Sequence, residues 1–177
     1  MYTPALSKNS TKNSIRELIL DTVNSLDTKH GRVLTLPCLD FTLENKLSEK
    51  LIVHTVEREK LYYEQQLNIT KHNKRITNYN DNLLSHVLNK PYYYDFAYLD
   101  LCGYISKEMV ATLTLINCSN IALTVLRKRE KARWSKYSEN RDDMYTKLFN
   151  SLGYRITTQI KYTNNSSPMC TFFITKD

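Results

Sequence analysis

The 177 residues predict an α/β protein, a three-layer sandwich around a seven-stranded, mostly parallel sheet that closes with a C-terminal antiparallel hairpin. Three observations carry this expectation. Helical and strand periodicities alternate along the chain, the pattern of a parallel sheet covered by helices on both faces. The strand segments are apolar nearly throughout, as burial on both faces requires. The last two have no helix between them, only the turn cluster "NNSSP", which suits a hairpin.

The elements follow in order. "NSIRELILDTVNSL" places Ile15, Leu18, Ile19, Val23 and Leu26 on one helical face, with Ser14 and Glu17 reading as a capping-box start. Gly31 separates this helix from "RVLTLPC", a strand ended by Pro37. "TLENKLSEK" is polar and helical in pattern and leads to the strand "LIVHTVE", which ends in Glu57. "REKLYYEQQLNITKHNK" reads as a charged surface helix and "RITNYND" as a weaker strand ending in Asp81. "NLLSHVL" is a short helix stopped by Asn89 to Pro91. "YDFAYLDLC" is the fourth and most apolar strand, with Asp100 near its end. "SKEMVATLTLIN" spaces Met109, Val110, Leu113 and Ile116 helically, and "NIALTVLR" is the fifth strand. "SENRDDMYTKLFNSLG" is a helix with Gly153 as its C-cap. "YRITTQIKYT" and "MCTFFITK" form the hairpin. Residues 1–30 read as an N-terminal helical extension and 31–177 as a single domain, a length suited to one well-filled core.

Composition narrows the function classes. Cys38, Cys102, Cys118 and Cys170 are far apart and show no metal-ligand spacing. The histidines His30, His54, His72 and His86 form no i,i+4 pair, so neither a zinc site nor a Cys/His hydrolase is expected. No apolar run approaches the roughly 18 residues of a membrane span, and "MYTPALSKNS" lacks the apolar centre of a signal peptide. These readings predict an intracellular, cytoplasmic protein with reduced cysteines and no membrane partner. A net charge of +7 favours encounter with a polyanion, nucleic acid above all; a solubilising surface is the alternative.

The order of elements, and the acids at the ends of strands two, three and four, resemble the class I S-adenosylmethionine-dependent methyltransferase fold over 13–176. The resemblance implies a cofactor, S-adenosylmethionine, bound at the carboxyl ends of the strands, where ligands of open parallel sheets lie. Glu57, 17 positions after Asp40, would take the ribose hydroxyls, near the roughly 20-residue spacing of a ribose-binding acid; a first-turn helix acid is the alternative. Asn80 or Asp81 would meet the adenine amine, or cap the following helix. Asp40 and Glu44 would contact the ammonium of the methionine moiety. Asp100 would orient an amine or hydroxyl acceptor and reach the cofactor, with Tyr104 stacking on a base or packing in the core. Gly103 would let the chain turn tightly beside the ligand.

The sequence departs from that family in two places. The first loop, "TLPCLDFTLE", has no glycine, so Leu36 or Cys38 would stand where the methionine moiety passes. After the fourth strand, "LDLCGY" lacks the two prolines found in amine-methylating members. Beyond the fifth strand, "LRKREKARW" carries Arg127, Lys128, Arg129, Lys131, Arg133 and Trp134, which suit phosphate contacts and base stacking; a solvated charged loop is the alternative. The expected function is methylation of a nucleic acid. The alternative is a catalytically inactive methyltransferase-like module that binds nucleic acid or protein, and a protein partner or homo-oligomer is a further expectation.

Overall fold

A computed structural model describes residues 10–37, 40–101, 103–127, 140–164 and 167–176. In chain order these form α1 (Ser10–Ser25), β1 (Arg32–Thr35), α2 (Thr42–Ser48), β2 (Ile52–Glu57), α3 (Lys60–Thr70), β3 (Ile76–Asn80), α4 (Leu83–Asn89), β4 (Tyr93–Tyr94) and β5 (Phe96–Asp100). Then come α5 (Lys107–Leu115), β6 (Asn117–Cys118), β7 (Asn120–Leu126), α6 (Arg141–Ser151), β8 (Tyr154–Asn164) and β9 (Ser167–Lys176). Seven strands make one sheet in the order β3-β2-β1-β5-β7-β9-β8. The first five of these are mutually parallel, and β9 runs antiparallel to both of its neighbours. This is the α/β sandwich that the alternating periodicities predict.

Each central strand feeds two cores. Val33, Val53 and Phe96 pack with Ile15, Ile19 and Val23 of α1 and with Leu43 and Leu47 of α2 on one face. Leu34, Val56, Ala97 and Leu99 join Met109 and Leu113 of α5 and Leu148 and Phe149 of α6 on the other. Alternate residues of a strand point to opposite faces, so strands buried on both are apolar at most positions, with Thr35, His54, Thr55 and Thr124 as buried polar exceptions. α3 breaks the usual rule for its class. Its buried residues are Gln66 and Thr70, while Leu61, Leu67 and Ile69 are exposed. It is held by hydrogen bonds: Thr55 Oγ1 donates to Asn78 Oδ1 at 2.6 Å, Asn78 donates to Thr70 Oγ1 at 2.5 Å, and Thr70 donates back to the Gln66 carbonyl at 2.9 Å.

Two local expectations are corrected. α1 begins at Ser10, so Ser14 lies inside the helix and does not cap it. The apolar periodicity understates the helix because the position one turn before Ile15 on the buried face is Lys12, itself buried. The segment read as one strand from Tyr94 is two: β4 pairs with β6 in a separate two-stranded ladder, and β5 joins the main sheet. The break falls at Asp95. Its carboxylate accepts the backbone N–H of His30 at 3.0 Å and of Arg32 at 3.1 Å, and its own N–H donates to the Arg32 carbonyl at 2.9 Å.

Other features match the sequence reading. Gly153, just past α6, has φ 78°, and Gly31, before β1, has φ 61°, backbone conformations that suit glycine. Cys118 and Cys170 are buried thiols, and burial pushes them up to about 12 and about 11, which keeps them protonated and unreactive. Among the described residues no helix is long and apolar enough to cross a membrane.

Beneath α4, the hydroxyl of Tyr94 lies 3.1 Å from His54 Nδ1 and 3.0 Å from His86 Nε2. One hydroxyl has one proton, so it can donate to at most one of the two rings, and a ring nitrogen that accepts it belongs to a neutral imidazole. Burial, with Arg32 and Lys90 beside His54 and Lys90 beside His86, lowers each imidazole to about 4. The unfolded chain takes up these protons near pH 6.5 and the folded chain only near 4. This contribution to stability is complete above pH 6.5 and is lost as pH falls toward 4. The thermal midpoint is expected to fall progressively over that interval, and His54→Gln with His86→Gln should flatten the decline. A midpoint independent of pH between 6.5 and 4 would contradict the assignment.

Candidate functional site

β1 has β2 on one side and β5 on the other, so the chain leaves it in opposite directions and a cleft opens at the carboxyl ends between them. A cavity of about 810 Å³ occupies this edge, within the usual range for a small-molecule site. Leu36 and Pro37 enter it from just beyond β1, Val56 and Glu57 from β2, Asp81 from beyond β3, Asp100 from the end of β5, and Leu101, Gly103 and Tyr104 from beyond it. Helices add Tyr62 and Gln66 from α3, Leu83 from α4 and Met109 from α5.

The anticipated residues divide by location. Glu57 and Asp81 both line the cavity. Glu57 Oε1 accepts the Glu59 N–H at 2.8 Å, just before α3, and Asp81 Oδ1 accepts the Asn82 N–H at 2.8 Å. The cap of α4 is Asn82, whose side chain accepts the Leu84 N–H at 2.9 Å, so neither Asn80 nor Asp81 serves as cap. Asn80 instead donates to the carbonyls of Glu57 at 2.9 Å and Arg58 at 3.2 Å, tying the ends of β2 and β3 together.

Leu36 lines the cavity, whereas Cys38 lies outside the described residues. Asp40 is held by Arg16, whose Nη2 reaches the two carboxylate oxygens at 3.1 and 2.9 Å. Phe41 follows with φ 47°, a left-handed conformation that costs a non-glycine residue roughly 1–3 kcal/mol, and its ring is fully buried with Ile15 and Ile19. Asp40 and Phe41 are thus both drawn against α1. Glu44, in the first turn of α2, is also buried on this face. Burial pushes its carboxyl up to about 7, against the weaker opposing pull of its backbone hydrogen bond, Thr35 and Arg16.

Asp100 lies at the cleft, its side chain 3.5 Å from Lys12 Nζ and 3.4 Å from the Tyr98 hydroxyl. Tyr104 is half exposed on the cavity wall. Gly103 does not have a positive φ, and a Cβ there would approach nothing nearer than 3.5 Å, the Leu101 carbonyl. The turn that Gly103 was expected to permit therefore does not itself require glycine. Arg127 pairs with Asp142 at 2.7 Å, and Asp142 also pairs with Lys161. Lys128, Arg129, Lys131, Arg133 and Trp134 lie outside the described residues.

Three contributors were missed in the sequence. Gln66 is almost wholly buried yet lines the cavity, and its Oε1 has no hydrogen-bond partner among the described residues. Lys12 and Arg16 engage the acids at the cleft. Lys12, Ile15, Arg16 and Ile19 share one helical stripe, and the two cations among apolar residues were the available signal.

No protein-family model matches the chain, and no curated protein matches it in sequence. Solved structures do match in shape. The N-methyltransferase NodS from Bradyrhizobium japonicum WM9 has a TM-score of 0.67 at 11% identity, over 97% of this chain and 100% of that one. The magnesium protoporphyrin IX methyltransferase ChlM from Synechocystis PCC 6803, with bound S-adenosylmethionine, has a TM-score of 0.67 at 14% identity, over 94% and 78% of the two chains. The [4+2]-cyclase SpnF has a TM-score of 0.63 at 8% identity, over 99% and 84%. The chain has the class I methyltransferase fold. Likeness at these identities defines a fold and not a reaction, and a cyclase among the matches makes the same point.

Glu44 titrates with the opposite sign from the histidines. Its folded value near 7 exceeds the ordinary 4.5, so the stability it contributes is complete below pH 4.5 and is lost as pH rises through 7. Glu44→Gln should stabilise the protein relative to the parent at pH 8 by up to about 3 kcal/mol, and by much less at pH 4.5. Equal urea midpoint differences at the two pH values would refute this.

Proposed function

We propose that the protein is an S-adenosylmethionine-dependent methyltransferase. The observation that carries this reading is the cavity at the β1–β5 cleft with the Glu57 and Asp81 carboxylates on its wall. Its donor and acceptor set fits the nucleoside half of the cofactor. Glu57 would accept from the ribose hydroxyls and Asp81 from the adenine amine, while Leu36, Val56 and Leu83 supply apolar surface for the base. Gln66 Oε1 is a buried acceptor in want of a donor, a condition a bound hydroxyl or amine would relieve. When bound, the cofactor would supply an electrophilic methyl group on a good leaving group. The chain's own part is then alignment and exclusion of water. Asp100 would accept a hydrogen bond from the acceptor's amine or hydroxyl, and Tyr104, on the open wall, would pack against it.

Calorimetry with S-adenosylhomocysteine tests the reading. Binding is expected for the parent protein, with Glu57→Ala weaker by roughly 10- to 100-fold, the worth of hydrogen bonds to a charged group. An unchanged affinity in Glu57→Ala would remove the ribose assignment. The alternative, an inactive module of the same fold, draws on the glycine-free loop held to α1 by Arg16 and Phe41, and total absence of nucleoside binding would favour it.

Nucleic acid as the acceptor rests on charge: the net +7 and the basic stretch that follows β7, whose carboxyl end lies on the edge that carries the cavity. Phosphate contacts would position such a substrate. Oligonucleotide affinity should fall steeply with salt, and neutralising Arg127, Lys128 and Arg129 together should lower the logarithmic slope by about 2–3. An unaltered slope would remove the nucleic-acid reading.

A further inference from the structure

Open parallel sheets that bind nucleotides hold phosphate at the N-terminus of a helix that follows a strand, where free N–H groups and the helix dipole favour an anion. Here α2 to α6 all begin at the carboxyl edge of the sheet, and each has a carboxylate of its own at that place. Asp40 Oδ1 accepts the Thr42 N–H at the start of α2, at 3.2 Å. Glu57 Oε1 accepts the Glu59 N–H before α3, and Asp81 Oδ1 the Asn82 N–H before α4, both at 2.8 Å. Glu108 stands in the first turn of α5, and Asp142 and Asp143 in that of α6. Acids in these positions stabilise the helices they begin. They also fill, from within the chain, the places a phosphate would take.

The cavity inherits this pattern. Glu57, Glu59, Asp81 and Glu108 are on its wall together with Asp100, which is engaged by Lys12. Arg58 is the one cation on that wall among the described residues, and it pairs with Glu59 at 3.2 Å. A chain of net charge +7 thus has an acidic cleft, and a concave site with low-dielectric walls concentrates the field of its charges. Gln66 is an independent sign of what enters. It is 1% exposed, lines the cavity, and its Oε1 has no hydrogen-bond partner among the described residues. A buried acceptor is costly until a donor reaches it. A hydroxyl or amino group brings a donor, whereas an ionised phosphate brings only acceptors. We propose that the cavity selects its ligand by charge: it takes neutral or cationic molecules that carry hydroxyl or amino donors, and it excludes phosphates. This rests on the proposed function and narrows it, because the cofactor named there carries a sulfonium cation and no phosphate. A nucleic-acid acceptor then presents a base alone to the cavity, with its phosphates outside.

Adenosine, its amino analogue and its monophosphate carry a hydroxyl, an ammonium and a phosphate at the same primary ribose carbon. By calorimetry at low ionic strength the amino analogue should bind at least as tightly as adenosine, and the monophosphate more weakly by roughly 30-fold or more. Glu59→Gln with Glu108→Gln removes two exposed charges and no contact assigned to the nucleoside. The double variant should leave adenosine unchanged and narrow the gap to the monophosphate about tenfold, as should high salt. Gln66→Met should weaken adenosine about tenfold without lowering the thermal midpoint of the unliganded protein. Equal affinity of the parent for adenosine and the monophosphate overturns the charge selection and leaves the proposed function standing. A gap that neither salt nor the double variant alters does the same, and unchanged adenosine affinity in Gln66→Met overturns the donor requirement. If none of the three binds the parent, the proposed function falls and the selection with it.

Discussion

The carboxylate of Asp95 fixes where β1 and β5 begin. By accepting the N–H groups of His30 and Arg32 while donating its own N–H to the Arg32 carbonyl, it sets two strands that are distant in sequence side by side at their starts. Their register, Val33 opposite Phe96 through Thr35 opposite Tyr98, follows from that. A parallel pair has no hairpin turn to set its register, so a side chain does it. The cleft at the far end of these strands, and with it the cavity, exists because this pair is adjacent and β2 and β7 lie outside it. A single acid at the amino edge thus determines the geometry at the carboxyl edge.

The two faces of the sheet are built on different chemistry. The face covered by α4, α5 and α6 is mostly apolar, apart from the buried imidazoles around Tyr94, Thr112 and the Tyr145 hydroxyl. The face covered by α1, α2 and α3 has a polar layer near its carboxyl end, comprising Thr35, Glu44, Thr55 and Gln66, with Asp100 beside it. A hydrogen bond from Asn78 of β3 to Thr70, the last residue of α3, ties this helix, with its three exposed large aliphatic residues, to the sheet. Buried polar groups specify one arrangement because misplacing any of them leaves its partner unsatisfied. Asp40 and Asp100 therefore hold a defined relation to Arg16 and Lys12 of α1.

Much of this architecture was legible in the amino-acid order. Strand segments such as "NIALTVLR" could be read because burial on both faces leaves a continuous apolar run, and the hairpin because "NNSSP" sits between two such runs. Glu57, Asp81 and Asp100 were legible as neighbours on one edge because a parallel sheet puts the ends of its strands there, and all three line the cavity. The parts that escaped depend on distant partners. Asp95 sits within an aromatic run, and nothing nearby shows that its acceptors serve backbone some 65 positions earlier. Lys12 looks like a surface lysine until α1 is laid across the cleft. Gly103 was read as permitting a tight turn, and its backbone has no positive φ.

Phe41 gives the loop after β1 a history of its own. Glycine there would relieve the left-handed backbone, worth roughly 1–3 kcal/mol. It would also empty a fully buried aromatic site beneath α1, at a cost of about 3–5 kcal/mol. The second term exceeds the first, so a single substitution toward a glycine-containing loop runs uphill, and only a concerted repacking of α1 would make it neutral. The loop and the helix above it therefore constitute one heritable unit: sequence drift in either is constrained by the other, and the chain is committed to the arrangement in which α1 packs on Phe41.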